Sequence, residues 1–277
     1  MFLVPIIGIE VKGSRRWIDL FFLPRFQPIE IVKPFLIVIF AIILCKNETN
    51  IFVKYLASTI LMTLISLLLI IQPDIGQTLL VVFCWAALIF TSGINIYVLL
   101  ATFIAGSSFL AYLILYVPRF DYIQGRIFSF FNREIGTHNF QSDKAIESII
   151  SGGFFGKGIG EGVLKNRVPE AHTDYIISVI SEEFGVVAIM LILLLFLILI
   201  YMVFKKISFE TNDKVKLILI GSISLILMQA TIHIGVNIRL FPTTGMTLPF
   251  LSYGGSSIIS TSILAGIILN LTKRKIT

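Results

Sequence analysis

The sequence predicts an all-α integral membrane protein, a polytopic helical bundle of about seven spans plus an N-terminal half-span. Of its 277 residues, 56% are hydrophobic and only 14% are charged, and the mean hydropathy is +0.95. A soluble globular domain carries about 25% charged residues, so this composition excludes a soluble domain. Apolar runs of about 20 residues, the length of a membrane span, recur along the chain.

These apolar runs predict helices, because lipid offers backbone groups no hydrogen-bond partner and the alternation of a β-barrel strand is missing. They cover residues 28–45, 54–72, 75–92, 95–117, 184–205, 214–236 and 255–272. The opening "MFLVPIIGIEV" is only about half a span and lacks the basic start and cleavage site of a signal peptide. It is typical of the last turns of a helix, so we expect the chain to be a fragment or a shortened form.

The positions of Lys and Arg predict how the spans are oriented. Short loops rich in these residues face the cytoplasm, which places residues 46–54, 205–216 and 273–275 on that side. Residues 118–174 then form a large extracytoplasmic loop within a single domain of residues 1–277. The many basic residues of this loop have two explanations: an anionic substrate binds there, or a loop of this length crosses the membrane regardless of its charge.

Two motifs near the N-terminus place charged residues where the chain is expected to enter the membrane. "GSRRWIDL" places Arg15 and Arg16 beside Trp17; guanidinium groups bind phosphate oxygens in pairs, and Trp anchors at headgroup level. In "QPIEIVKP", Glu30 and Lys33 share one helical face at the start of a span, where ionisable groups face a cavity or each other. Each motif therefore leaves two interpretations open. The arginines form either a substrate site or an interfacial anchor, and Glu30 and Lys33 form either a substrate site or a structural ion pair.

Two further motifs are rich in Gly or Pro. "QPDIGQ" at 72–77 separates two spans, and Asp74 either caps the next helix or has a chemical role. "SGGFFGKGIGEG" at 151–162 is not a Walker loop, since Gly158 follows Lys157, and no strand precedes it as in a dinucleotide-binding motif. Successive backbone N–H groups can cradle phosphate, but a flexible connector is the favoured interpretation.

The stretch "RVPEAHTDYIISVISEEFG", residues 167–185, sets polar residues directly against the longest apolar run. A helix that starts after Asp174 and continues to Phe204 would be about 45 Å long, against a hydrocarbon core of about 30 Å. Glu182 and Glu183 are therefore expected to project into the outer interface, with Asp174 above the membrane. Asp is also a favoured N-cap residue, and capping and a chemical role are compatible.

The region between the last two spans is interrupted by Pro and Gly. "NIRLFPTTGMTLPFLSYGGSS", residues 237–257, predicts non-helical backbone at membrane depth, which is tolerated only against protein or a water-filled cavity. Ser252 supplies a hydroxyl there. Cys45 and Cys84 have neither CxxC spacing nor a His or Cys cluster nearby, and the histidines follow no metal-binding pattern. Neither a disulfide nor a metal site is therefore expected.

Six of these motifs, in this order, resemble the SEDS family, whose members include FtsW, RodA and SpoVE. The matching segments are "GSRRWIDL", "QPIEIVK", "QPDIGQ", "SGGFFGKGIGEG", "PEAHTDYIISVISEEFG" and "TLPFLSYGGSS". They run from about Ile9 to Lys273, and "RRW" and "PEAHTD" look more like FtsW than RodA. Ile29 stands where the family usually has Ser. Family members have more spans, so the resemblance implies that the first two to three are lacking, which puts the activity of this chain as it stands in question.

The resemblance implies a function. SEDS proteins are peptidoglycan glycosyltransferases that polymerise lipid II, an undecaprenyl-pyrophosphate-linked disaccharide peptide, at the outer face of the bacterial cytoplasmic membrane. For an FtsW-like member this implies cell division, with a class B penicillin-binding protein and other divisome proteins as partners and no nucleic acid. A lipid II flippase and an inactive truncated scaffold for the penicillin-binding protein are the alternatives. No tightly bound cofactor is expected, and a divalent cation, Mg or Mn, would accompany the pyrophosphate.

The resemblance also implies site residues. The family's essential acid falls on Asp174, which we expect to act as the general base toward the acceptor hydroxyl. The family's cavity arginine falls within Arg15–Arg16 and its Glu/Lys pair on Glu30 and Lys33. The departing pyrophosphate needs cations preorganised around it. The candidate substrate-binding residues are Arg15, Arg16, Glu30, Lys33, Lys165, Arg167, Glu170, His172 and Ser252.

Overall fold

The computed structural model describes residues 1, 4–11, 14–20, 23–46, 50–131, 140–163 and 168–273. Each apolar run of the sequence is occupied by a helix, which confirms the polytopic helical fold class. In chain order the elements are α1 (Val4–Ile7), β1 (Ile9–Val11), β2 (Ser14–Leu20), β3 (Leu23–Phe26), α2 (Pro28–Leu44), α3 (Ile51–Ile71), α4 (Ile75–Thr91), α5 (Ile96–Tyr116), a 3-10 turn (Pro118–Phe120), α6 (Asp121–Phe131), α7 (Phe140–Gly152), α8 (Ile176–Phe209), α9 (Asp213–Asn237) and α10 (Gly255–Thr272).

Five of the helices in the described part of the chain are long and apolar enough to cross a membrane: α3, α5, α8, α9 and α10. The two shorter ones, α2 and α4, have 17 residues each, which is the lower end of the range of about 17–25 residues for a span. The chain is therefore an integral membrane protein.

Local sequence signals explain where several of these helices begin. Asn50, Asp74 and Asn95 each accept a hydrogen bond from a backbone N–H in the first turn of the helix that follows, which satisfies a donor that has no partner inside the helix. The expectation that Asp74 caps a helix is thus confirmed. Pro28 opens α2, a position where its fixed φ is helical and its missing N–H costs nothing.

The residues before α2 form a small antiparallel sheet that the sequence analysis did not predict. Its strand order is β1-β2-β3, with Trp17 opposite Ile9 and Ile18 opposite Phe26. Helix α1, where the end of a spanning helix was expected, has only four residues. The two-residue period of a strand is a weak signal over segments of three to seven residues, so sequence alone did not distinguish the sheet from a helix end.

Contacts divide the chain into two compact units. Unit 1 comprises Met1–Asp121, Val203–Met228 and Gly255–Thr277, and unit 2 comprises Tyr122–Met202 and Gln229–Gly254. The single domain expected from the sequence stays a prediction.

The core of unit 1 lies mainly between α2, α3 and α4. Phe40, Leu69 and Leu88 are buried there, and the Trp85 indole donates a hydrogen bond of 2.8 Å to the Ser58 hydroxyl. This bond gives the indole N–H the partner that a buried polar group requires. The interior around this tryptophan is therefore apolar, and its buried indole N–H is paired.

The core of unit 2 gathers residues from α7, α8 and α9 around Tyr175. The buried residues of α7 are all small, namely Ser142, Ala145, Ser148 and Gly152. A β-carbon at Gly152 would stand 1.9 Å from the Ser181 carbonyl oxygen. Since real β-carbons do not approach that closely, glycine is required for α7 to pack on α8.

Helix α8 is interrupted at Gly185, where φ is 75° and ψ is −174°. This left-handed backbone favours glycine, and it breaks the single long helix expected from the sequence into two segments. Only 6% of the most apolar segment of α8 is buried inside the protein. Most of this helix therefore lies exposed at the surface of the protein.

Candidate functional site

Asp174 lies in the tight turn that leads into α8. The Glu170 carbonyl accepts hydrogen bonds of 3.1 Å from the backbone N–H groups of both Thr173 and Asp174, and Glu170 has a left-handed φ of 57°. The first helical bond, of 3.0 Å, runs from Ser178 to the Tyr175 carbonyl. Tyr175 therefore occupies the N-cap position, and the half-buried Asp174 lies one residue before it.

Two neighbours fix the position of Asp174. The side-chain amide of Asn237, at the end of α9, donates to the Asp174 carbonyl at 3.1 Å and to the His233 carbonyl at 2.9 Å. The Asp174 carboxylate lies next to Gly245, where a built β-carbon would be 3.5 Å from Oδ2. The backbone around Asp174 is thus fixed from α9, and its carboxylate faces the segment between α9 and α10.

That segment, residues 238–254, is non-helical, and polar side chains bind its carbonyl groups. This satisfies the condition on which non-helical backbone is tolerated at membrane depth. A carbonyl can only accept, so His233 donates from Nδ1. The pairs are Arg126 Nη1 with Thr243 at 3.0 Å, His233 Nδ1 with Met246 at 2.7 Å and Gln229 Nε2 with Thr247 at 3.1 Å.

Ser252 joins this segment to the turn that holds Asp174. Its buried hydroxyl donates to the Thr173 carbonyl at 2.7 Å and accepts from the Leu248 N–H at 2.7 Å. The Tyr253 N–H donates to the His172 carbonyl at 2.9 Å. These bonds position the turn, whereas the side chains of Glu170 and His172 are exposed. The substrate-binding roles of Glu170, His172 and Ser252 stay predictions.

The surroundings of Tyr175 show which charges act near Asp174. Burial raises the pKa of the Tyr175 phenol well above its ordinary value, the Asp174 and Glu170 carboxylates raise it further, and Arg126 lowers it. The phenol is therefore neutral, and its oxygen has no hydrogen-bond partner among the described residues. Arg126 is thus a cation that acts on Tyr175, the residue after the candidate base. The sequence did not single it out as a site residue, because no motif surrounds it.

In unit 1, Glu30 and Lys33 form an ion pair in the first turns of α2, which is one of the two interpretations of this motif. Lys33 Nζ lies 2.8 Å from Glu30 Oε2, and both side chains are buried. Gln77 joins the pair, because its amide nitrogen donates to Glu30 Oε1 at 2.6 Å and its amide oxygen accepts from Lys33 at 3.1 Å. The network gives the Lys33 nitrogen two oxygen neighbours and gives the Glu30 carboxyl two nitrogen neighbours.

Asp74 extends the polar network of unit 1 toward the sheet. Its carboxylate accepts from the Gln27 amide at 2.7 Å and from the Gln77 N–H at 3.4 Å, and it lies 3.5 Å from Arg16 Nη1. Arg16 also donates to the carbonyls of Gln72 and Pro73. Burial raises the pKa of Asp74, and the Arg16 guanidinium opposes that rise.

The structure thus places the predicted residues in two groups, each within one unit. Asp174, Glu170, His172 and Ser252 come together in unit 2, whereas Arg16, Glu30 and Lys33 belong to the network of unit 1, with Arg15 exposed on β2. Lys165 and Arg167 lie outside the described residues. The substrate contacts assigned to the unit 1 residues and to these two cations stay predictions.

The glycine-rich loop, residues 151–162, neither cradles an anion nor serves as a loose connector. The N–H of Lys157 donates to the Glu182 carbonyl at 2.9 Å, and that of Gly158 to the Glu183 carbonyl at 3.0 Å. The N–H of Gly160 donates to the Glu183 carboxylate at 3.2 Å. Since these donors are already bonded to α8, they do not form a phosphate cradle.

Among the described residues, no group of three or more His, Cys, Asp or Glu side chains could hold a metal ion. These side chains therefore do not fit a divalent cation held by the protein alone. The divalent cation expected to accompany the pyrophosphate stays a prediction.

Comparisons with known proteins relate the whole chain to one family. Residues 1–276 match the family of FtsW, RodA and SpoVE, described as cell cycle protein. "Probable peptidoglycan glycosyltransferase FtsW" of Caulobacter vibrioides is 35% identical over 278 residues, covering 99% of this chain and 70% of that protein. The protein of the same name from Trichlorobacter lovleyi is 36% identical over 284 residues, covering 98% and 71%.

Solved structures share the fold over the same extent. A chain from a structure of a peptidoglycan synthase complex, described as coordinating polymerization and crosslinking, has a TM-score of 0.77 and 26% identity. It matches over 98% of this chain and 76% of its own length. The rod shape determining protein RodA of Thermus thermophilus has a TM-score of 0.67 and 30% identity, with coverage of 98% and 72%.

Proposed function

Because this chain belongs to the FtsW, RodA and SpoVE family of cell cycle proteins, we propose that it is a peptidoglycan glycosyltransferase that polymerises lipid II. The reaction takes place at the outer face of the bacterial cytoplasmic membrane, during cell division. The relatives described above carry glycosyltransferase names, which favours this function over a flippase. The side chains that perform the reaction are proposed from the geometry of unit 2.

Glycan polymerisation joins two lipid-linked disaccharides. The 4-hydroxyl of the acceptor sugar loses its proton to a base, and its oxygen forms a bond to the anomeric carbon of the donor. The bond between that carbon and the pyrophosphate oxygen breaks, and undecaprenyl pyrophosphate leaves with the electron pair. A correctly placed general base contributes about 10²–10⁴-fold to the rate of such a step.

The observation that carries the proposal is the place of Asp174 at the entrance of α8. It is a half-buried carboxylate, its backbone is fixed by Asn237 and by the turn at Glu170, and its Oδ2 faces Gly245. Glu182, expected to project into the interface, is instead buried and accepts from the Ser148 hydroxyl at 2.9 Å. Glu183 is partly exposed at the N-terminal side of the apolar part of α8, and Asp174 precedes it, so Asp174 lies beyond the hydrocarbon. This is where the sugars of two lipid-anchored substrates meet water.

The leaving pyrophosphate requires cations near the reacting carbon, because preorganised positive charge stabilises the negative charge that develops there. Arg126 is the described cation that acts on Tyr175 alongside Asp174. Lys165 and Arg167 precede Asp174 closely in the chain and are the other candidates. A pyrophosphate held by these side chains would place its anomeric carbon near the carboxylate.

A class B penicillin-binding protein is the proposed partner, with other divisome proteins. The support is the similarity to a chain from a complex described as coordinating polymerization and crosslinking. Crosslinking requires glycan strands as substrates, so a polymerase and a crosslinking enzyme that work side by side would pass the strand directly between them.

Purified protein, reconstituted with its penicillin-binding partner and fluorescent lipid II, tests the function on a gel that resolves glycan length. We expect a ladder of glycan strands that is lost in the Asp174→Asn variant. Transfer of lipid II between leaflets without a ladder would identify a flippase instead. Binding of the partner with neither ladder nor transfer would identify a scaffold.

A further inference from the structure

The glycine-rich loop is attached to α8 on both sides of the break at Gly185. On the C-terminal side, the Val186 N–H donates to the Gly153 carbonyl at 3.0 Å, and the Val187 N–H donates to the Phe154 carbonyl at 3.3 Å. On the N-terminal side, Lys157 and Gly158 donate to carbonyls of α8, as described above. The tip of the loop, residues 153–155, therefore lies level with residues 186–187 of α8.

The charges of α8 define where the hydrocarbon core of the membrane begins. Residues 185–204 contain no charged side chain. The partly exposed Glu183 precedes them, Glu182 before it is buried inside the protein, and Lys205 and Lys206 follow. At about 1.5 Å per residue this uncharged stretch spans about 30 Å, the thickness of the hydrocarbon core. The boundary therefore falls at the Gly185 break, and the backbone of Phe154, bonded to Val187, reaches just inside it.

The aromatic side chains at the loop tip are largely exposed. Phe154 is 73% exposed and Phe155 is 85% exposed, although the backbone that carries them is tightly held. Val187, beside the loop tip on α8, is also exposed, so the aromatic pair extends the apolar surface that this helix offers to lipid. Two neighbouring phenylalanines in water would be unfavourable, whereas the same pair at the hydrocarbon boundary is favourable.

We propose that the glycine-rich loop is a membrane-inserting wedge, with Phe154 and Phe155 buried in the hydrocarbon edge of the leaflet where α8 enters. Lys157 and Glu161, at the shallower end of the loop, remain among the headgroups, where Lys157 Nζ lies 3.8 Å from the Glu182 carboxylate. The occupant of this surface is bilayer lipid, because the aromatic pair continues the lipid-facing side of α8. The wedge would fix the depth of the break in α8 and hence the height of the preceding turn above the membrane.

Environment-sensitive labels test the insertion. The two native cysteines are first removed by Cys45→Ser and Cys84→Ala. A single cysteine then replaces Phe154, Phe155 or, as the control, the exposed Glu161, and it is labelled with the fluorophore NBD. The protein is placed in nanodiscs that contain phospholipids with or without bromine on the acyl chain. We expect blue-shifted emission and at least two-fold bromolipid quenching at positions 154 and 155, with iodide quenching only at position 161.

Three outcomes would overturn the proposal. Iodide quenching at 154 and 155 equal to that at 161 would mean that the loop stays in water. Protection that appears only after the penicillin-binding partner is added would make the surface a protein interface. Bromolipid quenching that appears only after lipid II is added would mean that the loop responds to the substrate rather than to the bilayer. Because the first nanodiscs contain neither partner nor lipid II, failure of the proposed polymerase function would leave this result unchanged.

Discussion

Gly245 lies directly against Asp174: a β-carbon built on Gly245 would stand 3.5 Å from Oδ2 of the Asp174 carboxylate. Gly245 has a φ of 71°, a left-handed conformation that is open to glycine and costly for other residues. The neighbouring Thr243 carbonyl is held by Arg126. Backbone without a side chain therefore forms one wall beside the candidate base.

Gly245→Ala is expected to impair polymerisation more than it impairs folding. The left-handed φ costs alanine about 1–2 kcal/mol, and the new methyl group occupies space next to the carboxylate. Glycan synthesis and thermal unfolding would be measured on the same preparations. Gly93→Ala is the matched control, since Gly93 has a φ of 89° with nothing within 4 Å. Equal losses of activity in the two variants would show that the space beside Asp174 is not used.

Gly156→Ala is expected to destabilise the protein more than Gly160→Ala. Both glycines have left-handed φ, at 76° and 84°, but a β-carbon at Gly156 would stand 2.2 Å from the Glu183 carbonyl oxygen, whereas at Gly160 nothing lies within 4 Å. The clash adds about 1–3 kcal/mol to the strain that the two variants share. Thermal unfolding in detergent gives the comparison, and equal melting temperatures would contradict the attachment of the loop to α8.

Glu30→Gln is expected to destabilise unit 1 strongly. It leaves the ammonium of Lys33 buried without its carboxylate, and removing one partner of a buried pair costs about 3–5 kcal/mol. The double variant Glu30→Gln, Lys33→Met removes both charges and should recover most of the loss. Melting temperatures of the wild type and the single and double variants would be compared. No recovery in the double variant would argue that the pair acts through something other than mutual charge compensation.

Tyr175→Phe is expected to keep or raise stability. The buried phenol oxygen has no hydrogen-bond partner among the described residues, so its removal relieves an unpaired polar group that costs about 1–3 kcal/mol. Because burial raises the pKa of the phenol, the wild type and the variant should share one pH profile of activity up to about pH 10. A clear loss of polymerisation in a stable variant would instead make the phenol a donor to the substrate.

The sequence was most informative for features that are encoded by long stretches of residues, such as the membrane-spanning helices. Apolar runs locate all seven large helices to within a few residues, because a long apolar segment in lipid leaves the backbone one regular conformation. The exception is α8, which begins eight residues earlier than its predicted span. The pairing of Glu30 with Lys33 and the cap at Asp74 were each one of the two interpretations that spacing and residue type allowed. These features depend on neighbours in the chain, and such neighbours are visible in the sequence.

The missed features depend on distant parts of the chain. Arg126 meets Thr243 across 117 positions, and Gln77 meets Glu30 across 47; no local pattern encodes either contact. The glycine-rich loop was expected to be a flexible connector because its composition suits one, but its donors are bonded to the broken backbone of α8. The break itself could have been suspected from Gly185 at the end of "SEEFG", although a single helical glycine is a weak signal.

Polymerisation by the Asp174→Asn variant is the most direct test of the proposal that this carboxylate is the general base. The control is Glu161→Gln, which changes an exposed carboxylate of the glycine-rich loop. Each of the three proteins, the wild type and the two variants, would be reconstituted with the penicillin-binding partner and labelled lipid II. We predict glycan ladders from wild type and Glu161→Gln, and none from Asp174→Asn, at matched melting temperatures. A ladder from Asp174→Asn at the wild-type rate would show that the base lies elsewhere.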